Sequence, residues 1–213
     1  IVAPFGGREA RISTAPIAIG IPQDDGNHFI LDFATSRVAE GKILVSQKTG
    51  TKLPTDAMVD KDGGDSDQPV TIYGESAASS VPNPRSGKGA IQTFGQHKGS
   101  GLGLACELLA GALTGAGTNA HERPFCNGML SLVFRADDFD TENAMQQEVQ
   151  DFIASIRDCP PREAGKAVLI PGDPERAMRA EVQAKGVSLG EAIIDQLKTI
   201  SDGLSVARPD GLS

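Results

Sequence analysis

The densest run of chemistry-bearing residues is Gln96-His97-Lys98-Gly99-Ser100-Gly101-Leu102-Gly103. The Lys98 ammonium stands in a glycine-rich turn that opens a helix. Successive backbone N–H groups in such a turn can form a nest for an anion, phosphate or pyrophosphate first of all. Lys98 precedes the glycines, so this is no Walker loop. Nor is it G-x-G-x-x-G after a strand with an acid about twenty residues on, as a Rossmann site requires. The same residues also read as a flexible turn packing a buried helix, and spacing does not choose between the two.

Other candidates are weaker. Asp32 ends a predicted strand just before Phe33-Ala34-Thr35-Ser36, where a carboxylate can accept from a ribose diol or simply cap the next helix. Gly172-Asp173 reads the same way, as a cap or as a ligand-contacting turn. His97 could act as a general acid near pH 7, although a loop histidine without a visible partner is ordinarily structural. Cys106 lies on an apolar helix and is expected to be an inert core thiol. Asp60, Asp62 and Gly63 faintly suggest a calcium loop, but the downstream bidentate Glu is missing. His28, His97 and His121 are dispersed without zinc-ligand spacing, so no metal site is expected.

These residues need elements to hold them. Ile17–Ile21 and His28–Phe33 flank the turn Asp24-Asp25-Gly26-Asn27 and predict a hairpin. Thr35 or Ser36 is placed to cap a helix through Val38, Ala39, Ile43 and Leu44. From 56 to about 90 little can be buried, and a long loop is expected. The helix after Gly99 is apolar almost all round and should be buried. Each of its glycines costs about 1 kcal/mol of propensity against Ala, which close packing of backbone or ligand must offset. Met129–Phe134 and Ala167–Ile170 read as strands. Asp140 or Thr141 opens a helix carrying Phe152, Ile153 and Ile156. Asp173-Pro174 starts another that stops at Lys185-Gly186. Ser188-Leu189-Gly190-Glu191 is a capping box ahead of Ile193, Ile194, Leu197 and Ile200. The fold class is α/β or α+β with a helical C-terminal end.

Composition excludes several partners. The chain has 213 residues and a net charge of −8, which repels polyanions, and with eight Phe, one Tyr and no Trp it lacks a stacking surface for nucleic acid. No apolar run approaches the roughly 18 residues of a membrane span, and no basic-then-apolar leader opens it. Cys106, Cys126 and Cys159 are odd in number and lack a C-x-x-C, so a reduced cytoplasmic protein is expected. Ile1-Val2-Ala3-Pro4-Phe5 reads like the inside of a protein, so a truncated chain is expected.

Four segments occur in a telling order: Val2-Ala3-Pro4-Phe5-Gly6-Gly7; Leu31-Asp32-Phe33-Ala34-Thr35-Ser36 with Gly41-Lys42; Phe94-Gly95-Gln96-His97-Lys98-Gly99-Ser100-Gly101-Leu102; and Ile170-Pro171-Gly172. Together they resemble the type-2 malate/L-lactate dehydrogenase family of non-Rossmann oxidoreductases. Cys126-Asn127-Gly128-Met129 and the C-terminal helices look most like its hydroxycarboxylate dehydrogenase branch. The resemblance implies an NAD(P)-dependent enzyme acting on a small 2-hydroxy acid or its 2-oxo counterpart. It also implies a mixed, mainly antiparallel sheet with helices, and a homodimer. By similarity Asp32, Phe33, Ala34, Lys98, Gly99, Gly172 and Asp173 contact the dinucleotide. NAD is the expected form, with NADP possible if Arg37 turns inward.

The chain departs from that pattern in places. Ser13-Thr14-Ala15-Pro16 stands where the family commonly has Gly-Thr-Asn-Pro. The family's Ser-His-Gly element and second catalytic histidine lie upstream of the matched segments, and none of His28, His97 or His121 corresponds to them. No catalytic acid/base is therefore expected here, and the isolated piece should be inactive. The expected organisation is a cofactor-binding domain over 1–165, with 166–213 a helical segment completing a domain with the missing N-terminal part. The alternative function is a non-catalytic dinucleotide- or phosphate-binding module.

Overall fold

Apolar alternation on either side of the acidic turn closes as a hairpin. β1 (Ile17–Ile21) pairs antiparallel with β2 (Phe29–Phe33), setting Ile17 opposite Phe33 and Ile21 opposite Phe29. Asp25 Oδ1 accepts the Asn27 N–H at 2.8 Å, and Gln23 C=O accepts the Gly26 N–H at 3.1 Å. The computed structural model describes residues 1–75, 85–118, 126–140, 142 and 144–208. His121 and Thr141 lie outside the described residues.

The expected long loop over 56–90 is in part a sheet. β3 (Met58–Val59) lies between β4 (Asp65–Ser66) and β5 (Ala90–Ile91), both antiparallel to it. The apolar stretch Ala57-Met58-Val59 is too short to show a period, yet all three residues are buried. Asp60 Oδ1 closes the β3–β4 turn by accepting the N–H groups of Asp62 (2.8 Å) and Gly64 (2.9 Å). That carboxylate, read as a faint calcium ligand, thus serves the backbone. Residues 76–84, the rest of the expected loop, lie outside the described residues.

The opening of the chain joins this sheet. Ala3 N–H donates to Ile91 C=O and Arg11 N–H to Val2 C=O, both at 2.9 Å. Around them Val2, Ile12, Val38, Ile43, Ala57, Met58, Ile72, Tyr73 and Ile91 form one buried cluster. Apolar burial at about 25 cal/mol per Å² is what holds so few paired strands together. Both sheets are antiparallel, giving the expected mixed α/β class, and among the described residues no parallel strand–helix–strand unit of a Rossmann fold forms.

Helix α1 (Glu40–Thr49) starts later than expected. Ala39 takes its cap position with no side-chain hydrogen bond. Thr35 and Ser36 are spent elsewhere: Thr35 Oγ1 donates to Thr14 C=O (3.0 Å) and Ser36 Oγ to Val38 C=O (2.8 Å). Glu40, in the first turn of α1, takes a bidentate contact from Arg85 at 2.6 and 2.8 Å. It also faces Tyr73, at the end of the short helix α2 (Val70–Tyr73). Burial, then the Glu40 charge, pushes the Tyr73 phenol up to about 12.

Helix α3 (His97–Cys106) continues as a wider π-helical turn over Glu107–Ala112. Its buried positions are Gly99, Ser100, Gly103 and Gly111, whereas Leu104, Leu108, Leu109 and Leu113 are exposed. The expected all-round burial is therefore wrong. The helix approaches its neighbours by its smallest residues, the close packing that its glycines called for. Met129–Phe134 is likewise not a buried strand: it pairs with nothing among the described residues, and Val133 is 90% exposed.

The residues divide into two units, Ile1–Ser155 and Ile156–Ser213. Helix α4 (Met145–Arg157) opens as expected, with the Asp140 carboxylate accepting the N–H groups of Ala144 (3.0 Å) and Met145 (2.9 Å). The second unit carries α5 (Asp173–Lys185) and α6 (Glu191–Leu204). Ala167–Ile170 forms no strand with any of the described residues. The capping box also fails. Gly190 takes the cap position without a side-chain bond, and its C=O accepts the N–H groups of Ile193 (2.9 Å) and Ile194 (3.1 Å).

Candidate functional site

Three chain segments that are distant in sequence meet at the start of α3. Phe94 N–H donates to Thr35 C=O at 3.1 Å, and Arg37 N–H to Gln92 C=O at 2.7 Å. The Phe33 ring stands edge-on to Phe94, centroids 5.5 Å apart, tying the end of β2 to the residues before the helix. From the other side, Phe5 N–H donates to Ser100 Oγ at 3.0 Å, and its ring meets the His97 imidazole at 5.9 Å. The segments 2–7, 31–36 and 94–102 thus converge. At the helix start Gln96 holds φ 55°, ψ −117°, a conformation that costs a non-glycine residue about 1–3 kcal/mol and that clusters at ligand-handling sites.

The nest expected around Lys98 is not available as N–H groups. Lys98 N–H donates to Gly95 C=O (3.2 Å), Gly99 N–H to Phe94 C=O (3.0 Å) and Ser100 N–H to Gln96 C=O (3.1 Å). The turn tightens onto itself, so those donors are consumed. What remains is the Lys98 side chain, exposed and without a hydrogen bond or ion pair among the described residues.

Asp32 is exposed on β2, while Phe33 and Ala34 are half-buried. The capping reading of Asp32 fails, because α1 begins at Glu40 and no side chain caps it. Its carboxylate has no hydrogen bond among the described residues. Arg37, the residue that could have turned toward it, is committed: its Nε donates to both Asp56 oxygens at 3.1 and 3.0 Å. That hydrogen bond holds the Asp56 carboxyl below its ordinary range. Ala15, where the family's Asn commonly stands, keeps a left-handed φ of 35°.

Gly172 and Asp173 belong to the second unit and are described within it. Gly172, at φ 99°, takes the cap position of α5, a conformation that disfavours any side chain; the cap is not Asp173. Asp173 Oδ2 accepts the Ile170 N–H at 3.1 Å, and Oδ1 takes Arg157 at 2.9 Å and Arg176 at 2.6 Å. Desolvation raises this carboxyl, but the Ile170 N–H and the two guanidiniums outweigh it and leave the group below its ordinary range.

Cys106 is half-buried rather than core, and burial followed by the Glu107 charge pushes its thiol up. Among the described residues no three His, Cys, Asp or Glu side chains gather as a metal site. Sequence reasoning missed an open cleft of about 650 Å³ beside the Phe5–His97 contact, lined by Arg8, Arg11, Asp65, Gln92 and Gln96 among others. The signal was the turn-forming Pro4-Phe5-Gly6-Gly7, which delivers Arg8 to its wall.

A family model for malate/L-lactate dehydrogenase matches residues 1–198. The chain belongs to the malate/L-lactate dehydrogenase family. It is 32% identical over 217 residues to an L-lactate dehydrogenase of Cupriavidus necator, covering 98% of this chain and 58% of that protein. To the Delta(1)-pyrroline-2-carboxylate reductase 1 of Burkholderia ambifaria it is 34% identical, covering 94% of this chain and 56% of the relative. A solved structure described as a putative malate/lactate dehydrogenase from E. coli superposes with a TM-score of 0.76 at 27% identity, covering 99% of this chain and 56% of that one. This malate/L-lactate dehydrogenase-family chain therefore spans little more than half the length of the curated relatives it matches.

Proposed function

We propose that the chain is the dinucleotide-holding portion of an NAD(P)-dependent oxidoreductase acting on a small 2-hydroxy acid or its 2-oxo counterpart. The observation that carries this reading is the convergence of segments 31–36 and 94–102, with the Asp32 and Lys98 side chains both free of partners among the described residues. The donor set suits a dinucleotide. Lys98 brings an ammonium for a phosphate, and Asp32 a carboxylate for ribose hydroxyls. In this reading Phe33, Ala34 and Gly99 form the backbone that the cofactor lies against; Gly172 and Asp173 are assigned to the cofactor by the family resemblance alone. The bound nicotinamide would supply the hydride chemistry, and these residues hold and orient it. The odd number and wide spacing of the cysteines support a reduced cytoplasmic setting, and the family resemblance adds a homodimer.

The cofactor preference follows from charge. At Asp32 the 2′-hydroxyl of NAD finds an acceptor, whereas the 2′-phosphate of NADP meets like charge. Arg37 is held by Asp56 and does not neutralise it. NADH should bind more tightly than NADPH by about 1–3 kcal/mol, the scale of one misplaced charged contact. The test is a panel of 2-oxo acids and a cyclic imino acid, each with NADH and NADPH, on the longest natural chain. Turnover of a 2-oxo acid with NADH preferred is expected. Dinucleotide binding without turnover of any substrate would instead mark a binding module, and tighter NADPH binding would overturn the role given to Asp32.

A further inference from the structure

The loop Ser13-Thr14-Ala15-Pro16 is anchored by a carboxylate that no contact to the cofactor requires. Glu107 stands where α3 widens into its π-helical turn, and its Oε1 accepts the Ser13 N–H at 2.7 Å. Among the described residues that carboxylate has no other hydrogen bond and no cation partner. Inside the loop, Ser13 Oγ accepts the Ala15 N–H at 3.1 Å. Ala15 is buried and keeps φ 35°, in the left-handed region that favours glycine. Such a conformation persists only where the surroundings hold it, and the Ser13–Glu107 bond is the hold at the entrance of the loop.

The loop in turn sets Thr35. Thr14 C=O accepts both the Thr35 N–H at 2.8 Å and the Thr35 hydroxyl at 3.0 Å. Thr35 is wholly buried, and a Cβ on Gly103, one turn before Glu107, would stand 3.0 Å from Thr35 Oγ1. Thr35 C=O then accepts the Phe94 N–H, the bond that joins the Asp32 segment to the Lys98 segment. Helix α3 and its extension thus grip Thr35 twice, directly at Gly103 and through the loop at Glu107.

We propose that Glu107 is a positioning residue for dinucleotide binding, a role that rests on the dinucleotide reading of the Asp32 and Lys98 segments. By anchoring Ser13 it fixes Thr14 C=O, and that carbonyl sets Thr35 between the two segments. A carboxylate suits the task because a backbone N–H bonds an ionised acceptor more strongly than a neutral one. Without it the Ser13 N–H loses its acceptor, Ala15 is released from its left-handed conformation, and the two bonds at Thr35 shift with Thr14.

The test is a titration of NADH into the 213-residue chain, followed by nicotinamide fluorescence, together with amide NMR shifts of the ligand-free chain. Glu107→Ala should move the amide signals of Thr35 and Phe94 and weaken NADH binding about fivefold to tenfold, near the lower end for a hydrogen bond to a charged group. Glu107→Gln keeps an acceptor oxygen at the same reach and should recover most of the loss. Glu107→Met has similar length and no such acceptor; it should behave as the alanine variant and replaces it if that one does not fold. NADH affinity unchanged in Glu107→Ala, or lost equally in Glu107→Gln, overturns the assignment. A wild-type chain that binds no NADH fails the dinucleotide reading by itself, and the anchor is then judged on the amides. Unmoved Thr35 and Phe94 signals in Glu107→Ala overturn it, and moved ones sustain it.

Discussion

Gly99→Ala should destabilise the first unit by about 2 kcal/mol and remove dinucleotide binding with it. A methyl group on Gly99 would lie well inside contact with the Phe94 carbonyl oxygen, 2.9 Å from Phe94 Cδ1 and 3.0 Å from Phe94 N. Two of those three atoms are backbone and cannot rotate away. The same carbonyl accepts the Gly99 N–H, so relief would break the bond that starts the helix. Alanine gains about 1 kcal/mol of helix propensity over glycine, too little to reverse the sign. Gly101, two residues on in the same helix, has nothing within 4 Å of an added Cβ. Gly101→Ala should therefore stabilise by up to about 1 kcal/mol. Urea midpoints of the two variants should move in opposite directions. Equal midpoints would mean that Gly99 is not packed as described.

Lys98→Ala should weaken dinucleotide binding by about 1.5–3 kcal/mol, the worth of a hydrogen bond to a charged group. The size of the effect rests on the spent backbone. With the N–H groups of residues 98–100 turned inward, the proposed phosphate contact at this end of α3 falls to the Lys98 side chain. Thermal stability without ligand should barely change, since an exposed lysine with no partner supports little packing. Titration calorimetry of wild type and variant with NADH separates the two readouts. Unchanged affinity would remove Lys98 from the site.

Local punctuation in the sequence carried more of this than apolar content did. The Asp-Asp-Gly-Asn hairpin, the Asp140 opening of α4 and the Lys185-Gly186 stop of α5 are short-range signals, and the structure has all three. The segments around Asp32 and Lys98 could each be named from the sequence because each is continuous, although nothing in the spacing says that the two meet, as Phe94 N–H and Thr35 C=O do. Errors came where tertiary pairing decides. Met58-Val59 is a strand only because Ala90-Ile91 and Asp65-Ser66 reach it from a distance. The leucines of the α3 region read as core, but its glycines are what the neighbours demand. Asp173 read as a cap, yet Gly172 holds that position through a positive φ that no periodicity reports.

The most direct test of the account is a titration of NADH into the wild-type 213-residue chain, followed by nicotinamide fluorescence and competed with NAD. Saturable binding at one site per chain, reversed by NAD and protecting Lys98 from acylation, is the predicted result. A chain shown to be folded by circular dichroism that leaves NADH fluorescence unchanged and Lys98 fully reactive would contradict it.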